Sequence, residues 1–176
     1  MNNEQNQTKK LTSSKKHIKE LPLSVAISFL IKDNKILLIK RIRGDYVGLF
    51  GLPGGKIEKN EHFSEAAVRE ILEESGIESE FKNYCGLVSE HLIENEKIIQ
   101  HFLLHICQLF PKTTNISNNS EGKLEWFDLE FISKMKGEII PSDFLMIEKM
   151  IINKEKNYYE CVIEKYGNKH ILKKFE

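Results

Sequence analysis

The sequence predicts an α/β fold in which a mixed β-sheet lies between helices. Two observations support this class: strand-like apolar runs occur on both sides of a central helical segment, and a second helical segment lies near the C-terminus. With 176 residues, the chain has the length of one domain and can bury a sizeable core. No internal repeat or domain boundary interrupts residues 21–176, which are predicted to form a single domain.

The composition is that of a soluble globular protein, with 40% hydrophobic and 30% charged residues. Lys plus Arg equals Asp plus Glu at 26 each, so the overall field gives no general attraction to nucleic acid or membrane. No apolar run reaches the ~18 residues of a membrane-spanning helix. Cys85, Cys107 and Cys161 are odd in number and widely spaced, as expected for reduced thiols in a cytoplasmic protein.

Residues 1–20 are polar, Lys-rich and almost free of apolar side chains. Such a segment is expected to form a mobile tail, because it cannot bury enough apolar surface to order itself. A basic arm that binds RNA is the alternative, although the segment lacks the aromatic residues that would favour it.

The first predicted element is a β-hairpin. Residues 25–31 and 35–39 are apolar runs separated by the turn formers Asp33 and Asn34. Arg41 and Arg43 follow two residues apart, and therefore on one side of an extended chain. Both are candidate contacts for a substrate phosphate, although arginines at the end of a strand are also common on protein surfaces.

The central segment, residues 55–77, combines a glycine turn with a helix that carries three carboxylates. At ~100° per residue, Glu70, Glu73 and Glu74 fall within an arc of about 100°. The side opposite the carboxylates is predicted to face the core and contains Val68, Ile71, Leu72 and Ser75.

Both ends of this helix are marked in the sequence. Asn60 is the predicted N-cap, and Gly76 followed by Ile77 predicts a left-handed C-terminal stop. Ala66 and Ala67 fall on the carboxylate side, where small side chains would let a bulky ligand approach the helix.

Clustered carboxylates repel one another unless a cation neutralises them. Hard oxygen ligands without a nearby Cys or paired His favour Mg²⁺ or Mn²⁺ over zinc. The alternative is a solvated acidic face with weak pairs to Arg69 and to lysines. The turn at residues 52–55, Leu-Pro-Gly-Gly, favours the metal and phosphate site, because it removes side chains where a backbone would approach a ligand.

The spacing of this segment resembles the Nudix box, G-x5-E-x7-R-E-U-x-E-E-x-G-U, where U is aliphatic. Every specified position matches, and the matching residues are Gly55, Glu61, Arg69, Glu70, Ile71, Glu73, Glu74, Gly76 and Ile77. The resemblance to the Nudix hydrolase family implies an α/β/α sandwich with a mixed sheet. It also implies hydrolysis of a nucleoside diphosphate that is linked to another group.

The resemblance further assigns roles within the box. It implies that Glu70, Glu73 and Glu74 bind Mg²⁺, with Mn²⁺ as a possible substitute and the carbonyl of Gly54 as an additional ligand. Arg69 would orient a glutamate and, with Glu73, is counted among the catalytic candidates. Glu61 would brace the loop against the helix. The implied reaction is substitution at phosphorus by water, with the metal lowering the pKa of that water.

The identity of the general base stays open between two carboxylates. Glu74 lies in the box, whereas Glu121 is a loop acid that could swing toward the site and is also a candidate metal ligand. Lys56, next to the glycine turn, joins the arginines as a candidate contact for the substrate.

The rest of the chain predicts further strands and one more helix. Strands are predicted over residues 80–89 and 97–109, with a polar turn at 94–96, and a loop over 111–119. A helix is predicted over residues 142–152, followed by a closing hairpin formed by residues 158–165 and 169–175.

This C-terminal layout resembles one Nudix branch, the oxidised-purine nucleoside triphosphate diphosphatases. In that branch an acid precedes a Trp-Phe pair by five residues, as Glu121 precedes Trp126 here, and an aliphatic-Pro-acidic segment then opens a helix. The resemblance implies that Asp143 faces the purine base and that Trp126 contacts the substrate. An acid at that position would also suit the helix dipole without any ligand.

The favoured function is a cytoplasmic Mg²⁺-dependent Nudix hydrolase that converts a nucleoside triphosphate, including an oxidised purine nucleotide, to a monophosphate and pyrophosphate. Alternative substrates are ADP-ribose or another nucleotide sugar, and RNA 5′ ends, which the Lys-rich tail could serve. A non-catalytic nucleotide sensor is the alternative of another class, and the intact set of box carboxylates argues against it. The expected partner is a small nucleotide, with no role for a membrane.

Overall fold

The computed structural model describes residues 21–117 and 122–176. Within them a mixed β-sheet lies between two helical layers, which confirms the predicted α/β class. The predicted tail at residues 1–20 and the candidate base Glu121 lie outside the described residues. No helix within the described part of the chain is long and apolar enough to cross a membrane.

Nine strands form the sheet within residues 21–117 and 122–176. Their bounds are β1 Leu23–Lys32, β2 Lys35–Arg41, β3 Phe50–Gly51, β4 Gly54–Lys56, β5 Ser79–Glu94, β6 Lys97–Pro111, β7 Gly122–Asp128, β8 Tyr158–Tyr166 and β9 Lys169–Phe175. The helices are α1 Phe63–Ser75, α2 Leu129–Ile132 with a 3₁₀ turn Ser133–Met135, and α3 Pro141–Leu145, which continues as a π-helical segment Met146–Ile152.

The strand order is β3-β2-β1-β6-β5-β8-β9, with β4 also paired to β1 and β7 to β2. β1 runs parallel to β6 and β5 runs parallel to β8, while the remaining pairs are antiparallel. The sheet is therefore mixed, as predicted.

The predicted hairpins are present, and their turns explain them. Asp33 and Asn34 have φ of 49° and 61°, and Asn95 and Glu96 have φ of 50° and 61°. Two successive residues with positive φ form the type of two-residue turn that matches the twist of antiparallel strands. The closing hairpin of β8 and β9 is also confirmed.

Strands β5 and β6 are longer than predicted, with 16 and 15 residues. The prediction ended β5 at Ser89, before the polar pair Glu90 and His91. In the structure β5 continues because β6 and β8 flank it on both sides and pair with its backbone as far as Glu94.

The two faces of the sheet bury separate apolar clusters. One cluster packs α1 against the sheet through Ala66, Ala67 and Ile71. The other packs α3 and the π-helical segment against the opposite face, with Phe144 and Ile147 among its buried residues. This two-sided packing is the α/β/α arrangement that the sequence predicts.

The orientation of α1 differs from the prediction. Leu72 is 51% exposed, whereas Ala66 and Ala67 are fully buried instead of facing a ligand. The buried stripe follows Ala67, Ile71 and Glu74, which lie three or four residues apart and so share one face. Glu74 is drawn into this stripe because it hydrogen bonds to the glycine turn, and the helix is rotated accordingly.

The start of α1 also differs, while its end is as predicted. The N-cap is His62 rather than Asn60, and the Glu65 carboxylate accepts the backbone N–H of His62 at 2.7 Å. Such a reciprocal contact satisfies an N–H that the helix leaves unpaired. Gly76 ends the helix with φ of 70°, and its N–H bonds to the carbonyl of Leu72.

The C-terminal helix begins one residue earlier than predicted. Pro141 occupies its first turn, where the missing N–H costs nothing. From Met146 the hydrogen bonding widens to the π pattern, and the N–H of Asn153 closes it on the carbonyl of Glu148 at 2.9 Å.

The three cysteines are free thiols, as expected. Cys107 and Cys161 are buried and Cys85 is half-buried. Burial raises the pKa of all three thiols, that of Cys107 to about 12. Neutral, shielded thiols of this kind serve packing rather than nucleophilic chemistry.

Candidate active site

The glycine turn brings the backbone of β4 against both β1 and α1. Gly54 has φ of 153°, and a Cβ there would collide with the carbonyl oxygen of Ala26 in β1. A Cβ on Gly55 would instead collide with the carboxylate of Glu70. Glycine at position 54 avoids a collision with backbone, and glycine at position 55 leaves room for the Glu70 carboxylate, so the turn fixes where α1 presents its acids.

Two of the three predicted carboxylates border this turn. The Glu74 carboxylate accepts the N–H of Gly54 at 3.2 Å, and Glu74 is only 6% exposed. Glu70 is half-buried against Gly55. Glu73 lies farther out on the helix, with a side chain that is 60% exposed. The three acids therefore differ in burial, from Glu74, which is buried, through Glu70 to Glu73, which is exposed.

Arg69 links the acids to the loop. Its guanidinium forms a two-pronged pair with Glu61, at 2.6 and 3.0 Å. It also donates to Glu70 at 2.8 Å, to Glu73 at 3.1 Å and to the backbone carbonyl of Lys56 at 3.1 Å. A planar guanidinium with five donors suits this bridging position.

The charges of this network stabilise one another. The hydrogen bond from Arg69 is the main reason that the pKa of Glu61 is lowered, and its pair with Glu61 raises the pKa of Arg69. Glu61 also accepts the backbone N–H of Glu58 at 2.8 Å. Glu61 thus joins the loop before α1 to the middle of the helix.

The donor set fits Mg²⁺ or Mn²⁺ by its chemistry. Glu70, Glu74 and the carbonyl of Gly54 would offer hard oxygen donors at one turn, and no side chain on Gly55 separates Glu70 from the backbone. Within residues 21–117 and 122–176, no three Asp, Glu, His or Cys side chains already converge on a single point. Arg69 supplies the positive charge among these acids, and a cation would have to replace its contacts with Glu70 and Glu73.

A pocket of about 280 Å³ opens beside the same turn. Its walls combine the turn with residues from β5 and α3, including Leu52, Gly54, Lys56, Glu90, Ile140 and Asp143. This volume is close to the lower limit of about 300 Å³ that is usual for small-molecule sites. The pocket and the acids of α1 therefore meet at one loop.

Asp143 forms part of the pocket wall and is held firmly. Its Oδ2 accepts the N–H of Leu52 at 2.7 Å, and a Cβ on Gly51 would lie at 2.7 Å from the same oxygen. Burial raises the pKa of Asp143 to about 7, against the lowering effect of the Leu52 N–H, and Glu90 raises it further. Asp143 is thus a carboxyl group whose charge state changes near neutral pH.

Glu90 is a pocket residue that the sequence analysis missed. It is 4% exposed, and burial raises its pKa, while hydrogen bonds from Ser142 and Cys161 oppose that rise. One signal could have identified it: Val88, Glu90 and Leu92 alternate along β5 on the buried face. An acid in that phase is directed into the core side of the sheet.

Of the other predicted substrate contacts, two line the pocket and two do not. Arg41 and Lys56 line the pocket. Arg43 lies beyond the end of β2, in an exposed bend, and is not among the residues that line the pocket. Trp126 packs with the apolar cluster of α1 and donates its Nε1–H to the carbonyl of Thr114 at 3.3 Å. The structure does not bring Trp126 together with Asp143.

Comparison with known proteins gives one family. A family model described as the NUDIX domain matches residues 21–148. The chain is 47% identical over 76 residues to an ADP-ribose pyrophosphatase of Methanocaldococcus jannaschii, covering 43% of this chain and 45% of that protein. It is 26% identical over 127 residues to an oxidized purine nucleoside triphosphate hydrolase of Danio rerio, covering 71% and 80%.

A solved structure shares the fold. The crystal structure of a MutT protein from Bacillus halodurans superposes with a TM-score of 0.65 at 20% identity, covering 85% of this chain and 97% of that one. The chain spans half or less of the length of the first curated relatives that it matches.

Proposed function

This chain belongs to the NUDIX domain family, and from that premise we propose that it is a Mg²⁺-dependent pyrophosphohydrolase of nucleoside diphosphate-linked compounds. The proposed substrate is a nucleoside triphosphate, with oxidised purine nucleotides included, and the proposed products are a monophosphate and pyrophosphate. The proposed location is the cytoplasm.

One observation carries this proposal: the pocket that contains Asp143 opens at the same glycine turn that the acids of α1 border. A base in the pocket would place its phosphates toward Gly54, Gly55 and Lys56. The relation between pocket and acids therefore suits a ligand with an apolar, hydrogen-bonding end and a polyphosphate end.

The residues of the turn and helix are proposed to have two roles, which are metal binding and the positioning of the metal-binding acids. Glu70, Glu74 and the Gly54 carbonyl would hold the metal, with Glu73 contributing from its more exposed position. When bound, Mg²⁺ neutralises charge on phosphate oxygens and lowers the pKa of the attacking water. Arg69 holds Glu70 and Glu73 at the turn until the metal replaces these contacts, and Glu61 keeps Arg69 in place.

Proton removal from the attacking water is assigned to a carboxylate. Glu74 is buried at the turn and has a fixed partner in the Gly54 N–H, so it is well placed for this role. Glu121, outside the described residues, remains the other candidate for the general base and a further candidate metal ligand. Arg41 and Lys56 are proposed to contact the substrate phosphates.

Substrate choice is tested by product analysis. Nucleoside triphosphates, their 8-oxo-purine forms, ADP-ribose and diadenosine polyphosphates are each incubated with the full chain and Mg²⁺. Release of pyrophosphate from a triphosphate, at a kcat/KM above that for ADP-ribose, is the expected result. Faster cleavage of ADP-ribose than of every triphosphate would overturn the substrate choice, and no cleavage at all would overturn the proposed activity.

ADP-ribose hydrolysis is the second candidate function. It is favoured by the match to the archaeal ADP-ribose pyrophosphatase, the relative with the higher identity of the two described above. That match covers 43% of this chain, so it leaves most of the sequence uncompared. AMP and ribose 5-phosphate as the dominant products would support this candidate.

A further inference from the structure

Glu90 has a feature that the proposed phosphate chemistry does not use. It is 4% exposed, and its Oε2 has no hydrogen-bond partner among the described residues. The Ser142 and Cys161 side chains hydrogen bond to the same carboxyl group, which holds it in place. A fixed, buried acceptor without a partner costs free energy unless a ligand satisfies it.

A second unpartnered polar atom belongs to the same pocket. The hydroxyl of Tyr46 is buried without a partner among the described residues, and Tyr46 lines the pocket together with Glu90 and Asp143. Tyr46 has φ of 64°, an uncommon conformation for a bulky residue, and its ring packs 4.0 Å from that of His170. Such local strain is often retained at sites that bind ligands.

The pocket is rich in hydrogen-bond acceptors. Glu90 and Asp143 both present carboxyl oxygens there, and the N–H of Leu52 already occupies one oxygen of Asp143. Burial raises the pKa of both carboxyl groups, so their ionised forms need hydrogen-bond donors to stabilise them. A ligand that donates to these oxygens therefore stabilises the ionised carboxyl groups, whereas a ligand that presents only acceptors does not.

Among nucleobases, an exocyclic amino group is the donor-rich feature. It carries two N–H bonds on one nitrogen, and guanine adds an adjacent ring N–H. A base that has a carbonyl oxygen in place of the amino group would set an acceptor against the acids and leave them unsatisfied. A buried polar site binds an analogue that lacks the matching donor much more weakly, because the acceptors of the site are then left without partners.

We propose that Glu90 is a specificity-determining residue that, with Asp143, selects nucleotides whose base carries an exocyclic amino group. This inference rests on the proposed function for the placement of the phosphates at the glycine turn. It assigns Glu90 no part in the chemical step.

Direct binding tests the assignment without turnover. Isothermal titration calorimetry is performed on the full chain with GMP, AMP and CMP and with their counterparts IMP and UMP, which lack the amino group. The wild-type protein is expected to prefer at least one amino-bearing nucleotide by about tenfold or more over its counterpart. Equal affinities within every pair, or no binding of any of them, would overturn the proposal.

Three variants connect that preference to Glu90. In Glu90→Gln the side-chain amide can donate, so the preference should disappear or reverse toward IMP and UMP. In Glu90→Leu, which resembles the neighbouring Val88 and Leu92, it should disappear. Glu80→Gln is the matched control, because Glu80 lies on the same strand, is exposed and pairs with Lys112 at 3.2 Å. It should keep the wild-type preference.

Tyr46→Phe separates ligand recognition from an internal contact. If Glu90 and Tyr46 merely satisfy each other, the Glu90 variants and Tyr46→Phe will change the free energy of unfolding but leave the nucleotide preference intact, and the proposal fails. The preference is also independent of catalysis. An amino-base preference without hydrolysis of any substrate would defeat the proposed function alone, whereas hydrolysis without base discrimination would defeat this inference alone.

Discussion

Glu73 and Glu74 are neighbours in sequence with opposite environments. Glu74 is 6% exposed and accepts the N–H of Gly54, whereas the Glu73 side chain is 60% exposed and pairs with Arg69. A glutamine at either position keeps the shape and one acceptor oxygen but loses the charge. Folding should therefore survive both substitutions, while metal binding and proton removal should not.

Glu74→Gln and Glu73→Gln are each expected to lower kcat by at least about 100-fold, with the larger loss at Glu74. Steady-state hydrolysis of the preferred substrate measures the effect. Glu78→Gln is the control, since Glu78 is exposed just beyond the end of α1. Near-normal turnover of either site variant would contradict the assignment of the box carboxylates.

Asp143 makes the stability of the protein depend on pH. Its pKa rises from 3.8 to about 7 on folding, so folding takes up a proton between these two values. The group costs no stability below pH 3.8, and its destabilising effect grows as the pH rises toward 7.

Asp143→Asn should reduce this pH dependence. Between pH 5 and pH 7.5 the variant is expected to gain up to about 2.5 kcal/mol of stability relative to the wild type. Urea denaturation at the two pH values measures the difference, and some slope should remain because the pKa of Glu90 is raised as well. Asp128→Asn, at an exposed pair with Lys35, is the control. Parallel pH curves for Asp143→Asn and the wild type would exclude this role.

At the scale of elements, Gly54 and Gly55 allow β4 to pack closely against its neighbours. A side chain at each position would collide with a different group. An added Cβ at Gly54 meets the backbone of β1, whereas one at Gly55 meets the mobile end of Glu70. Backbone cannot give way without disturbing the sheet, but a carboxylate can rotate. A substitution at Gly54 should therefore lower mainly the stability, and one at Gly55 mainly the activity.

Gly54→Ala is expected to destabilise the protein by more than about 2 kcal/mol, because it combines a collision with a positive φ. Gly55→Ala should cost less stability but remove most of the activity by displacing Glu70. Urea denaturation and hydrolysis rates are measured on both, with Gly137→Ala as the control, since a Cβ there meets no atom within 4 Å. Full activity in Gly55→Ala would show that the position of Glu70 is not critical.

The elements that local chemistry determines could be predicted from the sequence. The turn at Asp33 and Asn34 and the left-handed stop at Gly76 depend on a few adjacent residues, and both are present. The rotation of α1 could not be predicted, because the contact of Glu74 with Gly54 joins residues 20 positions apart. The exposed Leu72 is a direct consequence.

Of the candidate site, the acids of α1 could be predicted from the sequence, but the pocket could not. The acids of the box share one helix, so their proximity follows from spacing alone. The pocket is different, because its walls come from β1, β5 and α3, and only the folded sheet places Glu90 beside Asp143. The resemblance to the oxidised-purine branch favoured Trp126, which the sheet directs toward the cluster of α1.

At the scale of the whole molecule, the site draws on both helical layers. α1 packs on one face of the sheet and supplies the acids, while α3 packs on the other and supplies Asp143. The glycine turn of β4 lies where the two contributions meet. A ligand that spans acids and pocket would hold both layers to the sheet and should stabilise the fold as a unit.

Mg²⁺ should stabilise the folded protein only through this local cluster. The formal net charge is zero, with 26 basic and 26 acidic residues, so there is no general excess of negative charge to attract a cation. A ligand that binds only the folded state adds about 2.7 kcal/mol of stability at 100 times its Kd. For a domain of this size, that corresponds to a rise in Tm of about 5 °C or more.

The rise should saturate with Mg²⁺, disappear on addition of EDTA and exceed that produced by NaCl at equal ionic strength. Glu70→Gln and Glu74→Gln should lose most of it, whereas Glu78→Gln should keep it. Differential scanning fluorimetry measures all four proteins without any substrate, so the result does not depend on which nucleotide is cleaved. An equal shift in Glu70→Gln, Glu74→Gln and the wild type would place the bound cation elsewhere, because no shared acid would then connect Mg²⁺ to the turn at Gly54 and Gly55.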